Sequence, residues 1–290
     1  MKYVRKGEWL LLAIDNDYHL KTVNEFLNDF HMPSKEQNHL MQIGQILLNS
    51  KKTSGEMLMQ KGDTFQVKAF EEKEIDFIPE ETEAPLKVEY EDEFILIVNK
   101  PRDMLVHPDS KDKIGTLANM VAYYYQQENI QTTIRPIHRL DVETMGLVIF
   151  SKCEFIQPKL DWMLMTRKIK RHYYAFVVGE VYDDGVIEAP IGRDRHDAKK
   201  YRVSRDGKPA LTRYKVIRNK RNFTLLECVL ETGRTHQIRV HLASIKHPIV
   251  SDALYGEKYD FLPMGLQAYK VEFKHPITDS LVHVVQKCEF

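Results

Sequence analysis

The sequence predicts an α+β fold: a mixed, largely antiparallel sheet with flanking helices and loops, preceded by a small α+β unit. Three observations carry this prediction. Apolar, β-branched runs of strand length recur between residues 94 and 285, with few helical patterns between them. Residues 1–70 hold their own set of helix and strand patterns. No Gly-x-Gly-x-x-Gly follows a strand, which argues against a dinucleotide-binding fold.

Taken in order, residues 22–30 place Val23, Phe26, Leu27 and Phe30 at i, i+3, i+4 and i+7, one face of a helix. Ser34 reads as the N-cap of a second helix, with Leu40, Ile43 and Ile46 to Leu47 behind it. Residues 46–49 and 62–67 read as strands. The acidic, proline-punctuated stretch between Phe70 and Leu86 reads as a linker, which gives units at 1–75 and 88–290 joined by 76–87. Beyond it, residues 94–98 and 147–150 are continuous apolar runs and read as buried strands. Residues 114–127, 155–166 and 235–246 read as helices, the last with Ile238, Leu242 and Ile245 inward. Residues 173–181, 211–217, 223–230, 266–273 and 281–285 complete the strands.

The chain is neutral, with 42 Lys+Arg against 42 Asp+Glu. The average hides an uneven distribution. Residues 1–85 hold 10 basic and 15 acidic side chains, whereas residues 190–250 hold 15 basic against 5 acidic. A basic segment of this kind attracts phosphate backbones, although a solvated basic face is the commoner outcome for charge alone. The apolar run at 9–14 is too short to span a bilayer, and a cytoplasmic protein is expected. Cys153, Cys228 and Cys288 are widely separated and form no Cys-x-x-Cys pair, so they read as small buried hydrophobes rather than zinc or redox ligands.

Three segments carry chemistry. Residues 136–147 form a polar loop leading into a buried strand, which places Asp141 at the lip of a rigid element. Residues 231–241 turn at Gly233 into a helix that begins near Arg234. Residues 171–175 open a strand with Tyr173. Each has an ordinary reading taken alone: Asp141 as a loop acid, Arg234 as a surface cation, Tyr173 as a strand aromatic. His236 and His241 are five apart, on different faces of a helix, so a metal site is not indicated. His138-Arg139-Leu140-Asp141 lacks the Asp directly after Arg that a kinase catalytic loop needs.

Read jointly, His138-Arg139-Leu140-Asp141-x-x-Thr144-x-Gly146-Leu147, Arg171-x-Tyr173-x-Ala175 and Gly233-Arg234-Thr235-His236-Gln237-Ile238-Arg239-x-His241 closely resemble the RluA-type pseudouridine synthases. Asn99-Lys100-Pro101 with Val106-His107-Pro108, and His247-Pro248-Ile249 with Asp252-x-Leu254-Tyr255-Gly256, extend the resemblance over roughly residues 88–290. Met145 stands where that family usually has Ser or Thr, and Asp103 where it usually has Gly. Residues 1–75 resemble, in degenerate form, the small αL RNA-binding domain. The resemblance implies a sheet of the pseudouridine synthase type and an RNA-modifying isomerase working on ribosomal or transfer RNA, as a monomer and without cofactor or metal. It implies Asp141 as the catalytic carboxylate, Arg234 as its ion-pair partner, and Tyr173 against the uracil. Arg139 would fill the space of a flipped nucleotide or grip phosphate, and His138 would brace the loop. A catalytically silent RNA-binding protein on the same fold, or a hydrolase pairing Asp141 with Glu143, are the competing readings.

Overall fold

The computed structural model describes residues 1–71, 77–110, 113–259 and 262–290. The N-terminal unit opens with a hairpin of β1 (Tyr3–Lys6) and β2 (Trp9–Ala13). Helices α1 (Val23–Asp29) and α2 (Ser34–Gln42) follow, then β3 (Ile46–Leu48), β4 (Lys51–Lys52) and β5 (Thr64–Lys68). The five strands form one sheet in the order β1-β2-β5-β3-β4. Thr22 closes a capping box with Glu25 at the start of α1, and Val23, Phe26, Leu27 and Phe30 are all buried, as the spacing predicts. Ser34 is not a cap. It is the first helical residue after Pro33, which occupies the cap position, and no side chain closes that end. Ile43, expected on the inner face of α2, is 50% exposed, and Gln37 and Met41 are the buried positions instead.

The larger unit contains β6 (Lys87–Glu91), β7 (Ile95–Lys100), α3 (Leu117–Gln127), β8 (Arg135–Pro136), β9 (Met145–Ser151) and α4 (Gln157–Met165). It continues with β10 (Lys170–Val178), β11 (Gly185–Glu188), β12 (Ile191–Arg193), β13 (Tyr201–Val203), β14 (Leu211–Lys220), β15 (Phe223–Leu230), α5 (Gln237–Ser244), β16 (Leu266–Lys274) and β17 (Leu281–Val285). Ten of these strands make one sheet, ordered β11-β14-β15-β10-β16-β9-β7-β6, with β17 on β16 and β8 on β9. Every pairing in it is antiparallel except that of β16 with β9, so the fold is the mixed, largely antiparallel α+β architecture expected. Helix α3 begins at Leu117 because Thr116 and Asn119 close a capping box there. Helix α5 begins at Gln237, two residues later than the sequence suggests, because His236 adopts a left-handed backbone.

The continuous apolar runs are strands buried on both faces. In β7, Ile95 and Ile97 enter one core while Leu96 and Val98 enter the other. In β9, Leu147 and Ile149 divide from Val148 and Phe150 in the same way. Helices α3 and α5 cover one face. The other face packs on α4 and on the whole N-terminal unit: Phe30 lies 4.5 Å from Phe155 and Tyr3 lies 5.0 Å from Phe94, ring to ring. The two units therefore share one hydrophobic core. Of the expected linker, residues 72–76 lie outside the described residues; past them, Ile78 and Glu80 are hydrogen-bonded to Asn119 at the start of α3.

The parallel pairing of β16 with β9 is short: Gln267 opposite Met145 and Ala268 opposite Gly146. Gly146 has φ +114°, and a Cβ there would collide with the carbonyl oxygen and amide nitrogen of Ala268. Gly146→Ala is expected to cost about 2 kcal/mol or more, from backbone strain plus the clash. Gly62, at φ +93° with open space around it, is the control for strain alone. Thermal melts should show the larger loss in Gly146→Ala; equal losses would mean that the close approach to β16 is unimportant.

Candidate active site

The loop after β8 runs across the end of the junction between β9 and β16, and it is held from two sides. His138 is buried, and its Nε2 accepts the Ile149 amide at 3.4 Å, which ties the loop to β9. Burial, with Arg171 adding to the effect, lowers the His138 pKa to about 3, so it stays neutral. From the other side, the fully buried Lys100 at the end of β7 donates to the carbonyls of Pro101, Met104 and Val142 at 2.9, 2.7 and 2.9 Å. The last of these belongs to the loop itself. Burial lowers the Lys100 pKa to about 8, against the opposing charges of Asp103, Asp141 and Glu143. Asp103 itself has φ +57°, a left-handed conformation that Gly adopts freely and Asp tolerates.

Asp141 emerges from this loop on the wall of a cavity of about 570 Å³. His138, Arg139, Tyr173 and Arg234 also line it, so the five residues singled out from sequence meet in one place. Arg139 is exposed at the rim, while Tyr173 is buried on the floor. At Tyr173 the pairing of β10 with β16 slips by one residue, a bulge of the kind that re-aims side chains beside functional sites. Burial raises the Tyr173 hydroxyl pKa, with Arg171 opposing and Asp141 reinforcing the shift. Thr144 lines the cavity as well; the neighbouring Met145 is buried in β9 opposite Gln267.

The arginine paired with Asp141 is Arg239. Its Nη1 lies 3.5 Å from Asp141 Oδ2 and 3.3 Å from Glu143 Oε2. Its Nε and Nη2 grip both oxygens of Asp252 at 2.8 and 2.9 Å. Arg239 is 1% exposed and Asp252 0%. Burial alone would lower the pKa of this guanidinium, but Asp252, then Asp141 and Glu143, carry it above its ordinary value. Arg234, expected in this role, is exposed, and its Nε donates to the Pro209 carbonyl at 3.0 Å. The cause is local. The buried Gln237 takes the Arg234 amide and the Thr232 hydroxyl on its Oε1, and donates through Nε2 to Leu211 and Thr212 on β14. This fastens the turn before α5 to the sheet and leaves Arg234 outside it.

Sequence reasoning placed Asp252, His236 and Lys100 in motifs but gave them no role in the site. An arginine buried among Gln237, Ile238, Val240, His241 and Leu242 requires a carboxylate partner, but the segment itself does not reveal which of its arginines is buried. His241 is structural, with ring nitrogens 2.9 Å from the Thr212 hydroxyl and the Ala189 carbonyl. Among the described residues no group of three or more His, Cys, Asp or Glu side chains could hold a metal ion, and no helix is long and apolar enough to cross a membrane.

A family profile described as RNA pseudouridylate synthase matches residues 94–244, which include Asp141, Tyr173, Arg234 and Arg239. The chain belongs to this family. The synthase is 41% identical over 280 residues to the uncharacterized RNA pseudouridine synthase YhcT of Bacillus subtilis (strain 168), covering 95% of this chain and 88% of that one. It is 40% identical over 195 residues to ribosomal large subunit pseudouridine synthase D of Escherichia coli (strain K12), covering 67% and 59% of the two chains. In fold it is similar to human RNA pseudouridylate synthase domain containing 1, with a TM-score of 0.59 and 23% identity over 72% of this chain and 86% of that one. The synthase is thus an isomerase.

Proposed function

We propose that this synthase isomerises uridines of ribosomal RNA in the cytoplasm, as a monomer, with Asp141 as its catalytic carboxylate. The observation that carries the reading is the Asp141 carboxylate on the cavity wall, ion-paired to an arginine that Asp252 locks from behind. The ribosomal substrate is supported by the names of relatives such as the Escherichia coli enzyme.

The reaction breaks the bond from ribose C1′ to the uracil nitrogen, turns the base, and rejoins C1′ to base carbon 5. Nothing is added or lost. Asp141 acts at the sugar, as nucleophile or as base for its deprotonation, and both routes start from the ionised carboxylate. Arg239 supplies a counter-charge that holds and aims the carboxylate. Tyr173 supports the uracil once the nucleotide has been flipped out of its stack, a step costing a few kcal/mol. Stacking on an aromatic ring returns about 1–3 kcal/mol. The exposed Arg139 and Arg234 meet the flanking phosphates, and His138 keeps the loop on β9.

Asp141→Asn is expected to abolish tritium release from carbon-5-labelled uridine RNA while RNA binding persists, because the phosphate contacts lie elsewhere. Turnover above about a tenth of normal would refute the assignment, a margin far inside the loss expected on removing a reacting group. Running the assay on ribosomal and transfer RNA separates the two substrates, and release of free uracil would mark a hydrolase instead.

A further inference from the structure

His236 stands at the turn into α5 with φ +54°, a left-handed backbone that costs energy in any residue but glycine. Such strain persists only where the surroundings hold it, and here they hold the imidazole from three directions. Its Nδ1 lies 2.8 Å from the Tyr255 hydroxyl. Its ring meets those of Tyr255 and Tyr201 edge-on, with centroids 5.7 and 5.6 Å away. Its Nε2 faces Asp141 Oδ1 at 3.9 Å. Arg239 holds the opposite oxygen, Oδ2.

The Tyr255 hydroxyl oxygen accepts the backbone N–H of Tyr201 at 2.8 Å. A phenol that accepts there has its own proton to give, and the nearby acceptor in contact with it is His236 Nδ1. A neutral imidazole that accepts through Nδ1 carries its hydrogen on Nε2, and Nε2 is the atom turned to Asp141. The other tautomer would aim an imidazole lone pair at a carboxylate, which is repulsive. Burial favours the neutral ring, as does Arg239, whereas Asp141, Glu143 and Asp252 favour the charged one; the balance lies below the ordinary histidine value. Both forms present an N–H to Asp141.

We infer that His236 is a positioning residue: a hydrogen-bond chain from the Tyr201 backbone through the Tyr255 hydroxyl fixes its tautomer, and its Nε2–H orients Asp141 by Oδ1 while Arg239 holds Oδ2. The 3.9 Å gap is longer than a hydrogen bond. It closes to about 2.6–3.2 Å when substrate fills the cavity, as separations in empty active sites commonly do. The anchor of the chain is β13, so the β12–β13 hairpin, packed on α5 through Tyr201, Val240 and Tyr255, is part of what holds the carboxylate.

This inference rests on Asp141 being the reactive group. His236→Ala is expected to lower kcat on saturating RNA about 10- to 100-fold, the worth of a hydrogen bond to a charged group, with KM and RNA binding within about twofold. His236→Gln, which keeps an N–H donor at similar reach, should recover much of the loss. Tyr255→Phe removes one hydroxyl and frees the tautomer, so it should lower kcat in the same direction but less. Because the two act in series, the double variant His236→Ala/Tyr255→Phe should be no worse than His236→Ala alone. A residue that merely supports the fold would instead lower the melting temperature and raise KM, and glutamine would not rescue it. Should His236→Ala fail to fold, Tyr255→Phe at an unchanged melting temperature decides alone. An unchanged kcat in Tyr255→Phe, or losses that multiply in the double variant, overturns the inference. Survival of turnover in Asp141→Asn would overturn the underlying assignment instead, so the two failures are distinguishable.

Discussion

Replacing Arg239 with alanine is expected to abolish turnover and to cost about 3–5 kcal/mol of stability, the usual penalty for removing one member of a buried ion pair. The guanidinium is shared by three carboxylates, and one of them, Asp252, is fully buried with both oxygens committed to it. Without it Asp252 keeps the amides of Leu254 and Tyr255 but loses its counter-charge, and the loop after α5 loses one of its ties to the helix. Asp141 loses the cation that orients it. Arg239→Lys should restore part of the stability and little of the turnover, because one ammonium cannot span Asp252 and Asp141 together. Arg234→Ala should differ in kind, raising KM and flattening the salt dependence of RNA binding. Chemical denaturation and single-turnover assays on the three variants test this. Near-normal turnover in Arg239→Ala would remove the ion pair from the mechanism, and collapse in Arg234→Ala alone would return the role to that residue.

A chain beginning at residue 86 is expected to be insoluble or unfolded, although the sequence suggests a self-sufficient unit there. The N-terminal unit covers Phe94 and Phe155, and its ring contacts with them involve Tyr3, Phe30, Phe65 and Phe70. Lys159 of α4 reaches back to the Asp29 carbonyl, and the Cys153 thiol to that of Ala69. Fully exposing a large apolar side chain costs about 1.5–3 kcal/mol. A handful of them consumes most of the roughly 5–15 kcal/mol that holds a domain folded. Expression of residues 86–290, followed by circular dichroism and melting, decides the matter; a soluble, cooperatively melting and active fragment would show that the shared core is dispensable.

Much of the fold and most of the site were legible because they rest on local signals. Strands buried on both faces announce themselves as unbroken apolar runs, as at Ile95 to Val98 and Leu147 to Phe150. The period of α1 and the order of the charged segments could likewise be read directly. What could not be read depends on distant partners. The hairpin of β1 and β2 has a faint alternation that gains meaning only when Leu10 and Leu12 meet the core. The short β12 and β13 owe their pairing to what they pack on. Arg234 and Arg239 sit five residues apart in one motif, and which of them faces Asp141 depends on Gln237 fastening the turn to β14 and on a left-handed residue delaying the helix. No periodicity in the segment encodes that choice. The common core of the two units escaped for a related reason: an acidic stretch with prolines looks like a tether, whatever the surfaces on either side of it do.

Strand β16 occupies the middle of the ten-stranded sheet yet is among the last elements of the chain. Asp141 stands on the β9 side of it, and Tyr173 stands on the β10 side. Until residues 266–274 have been synthesised and inserted, those two side chains belong to separate halves with nothing between them. Contacts of such sequence separation form slowly, since the loop must close before its contacts stabilise it. The cavity is therefore assembled only once β16 has been inserted between β9 and β10.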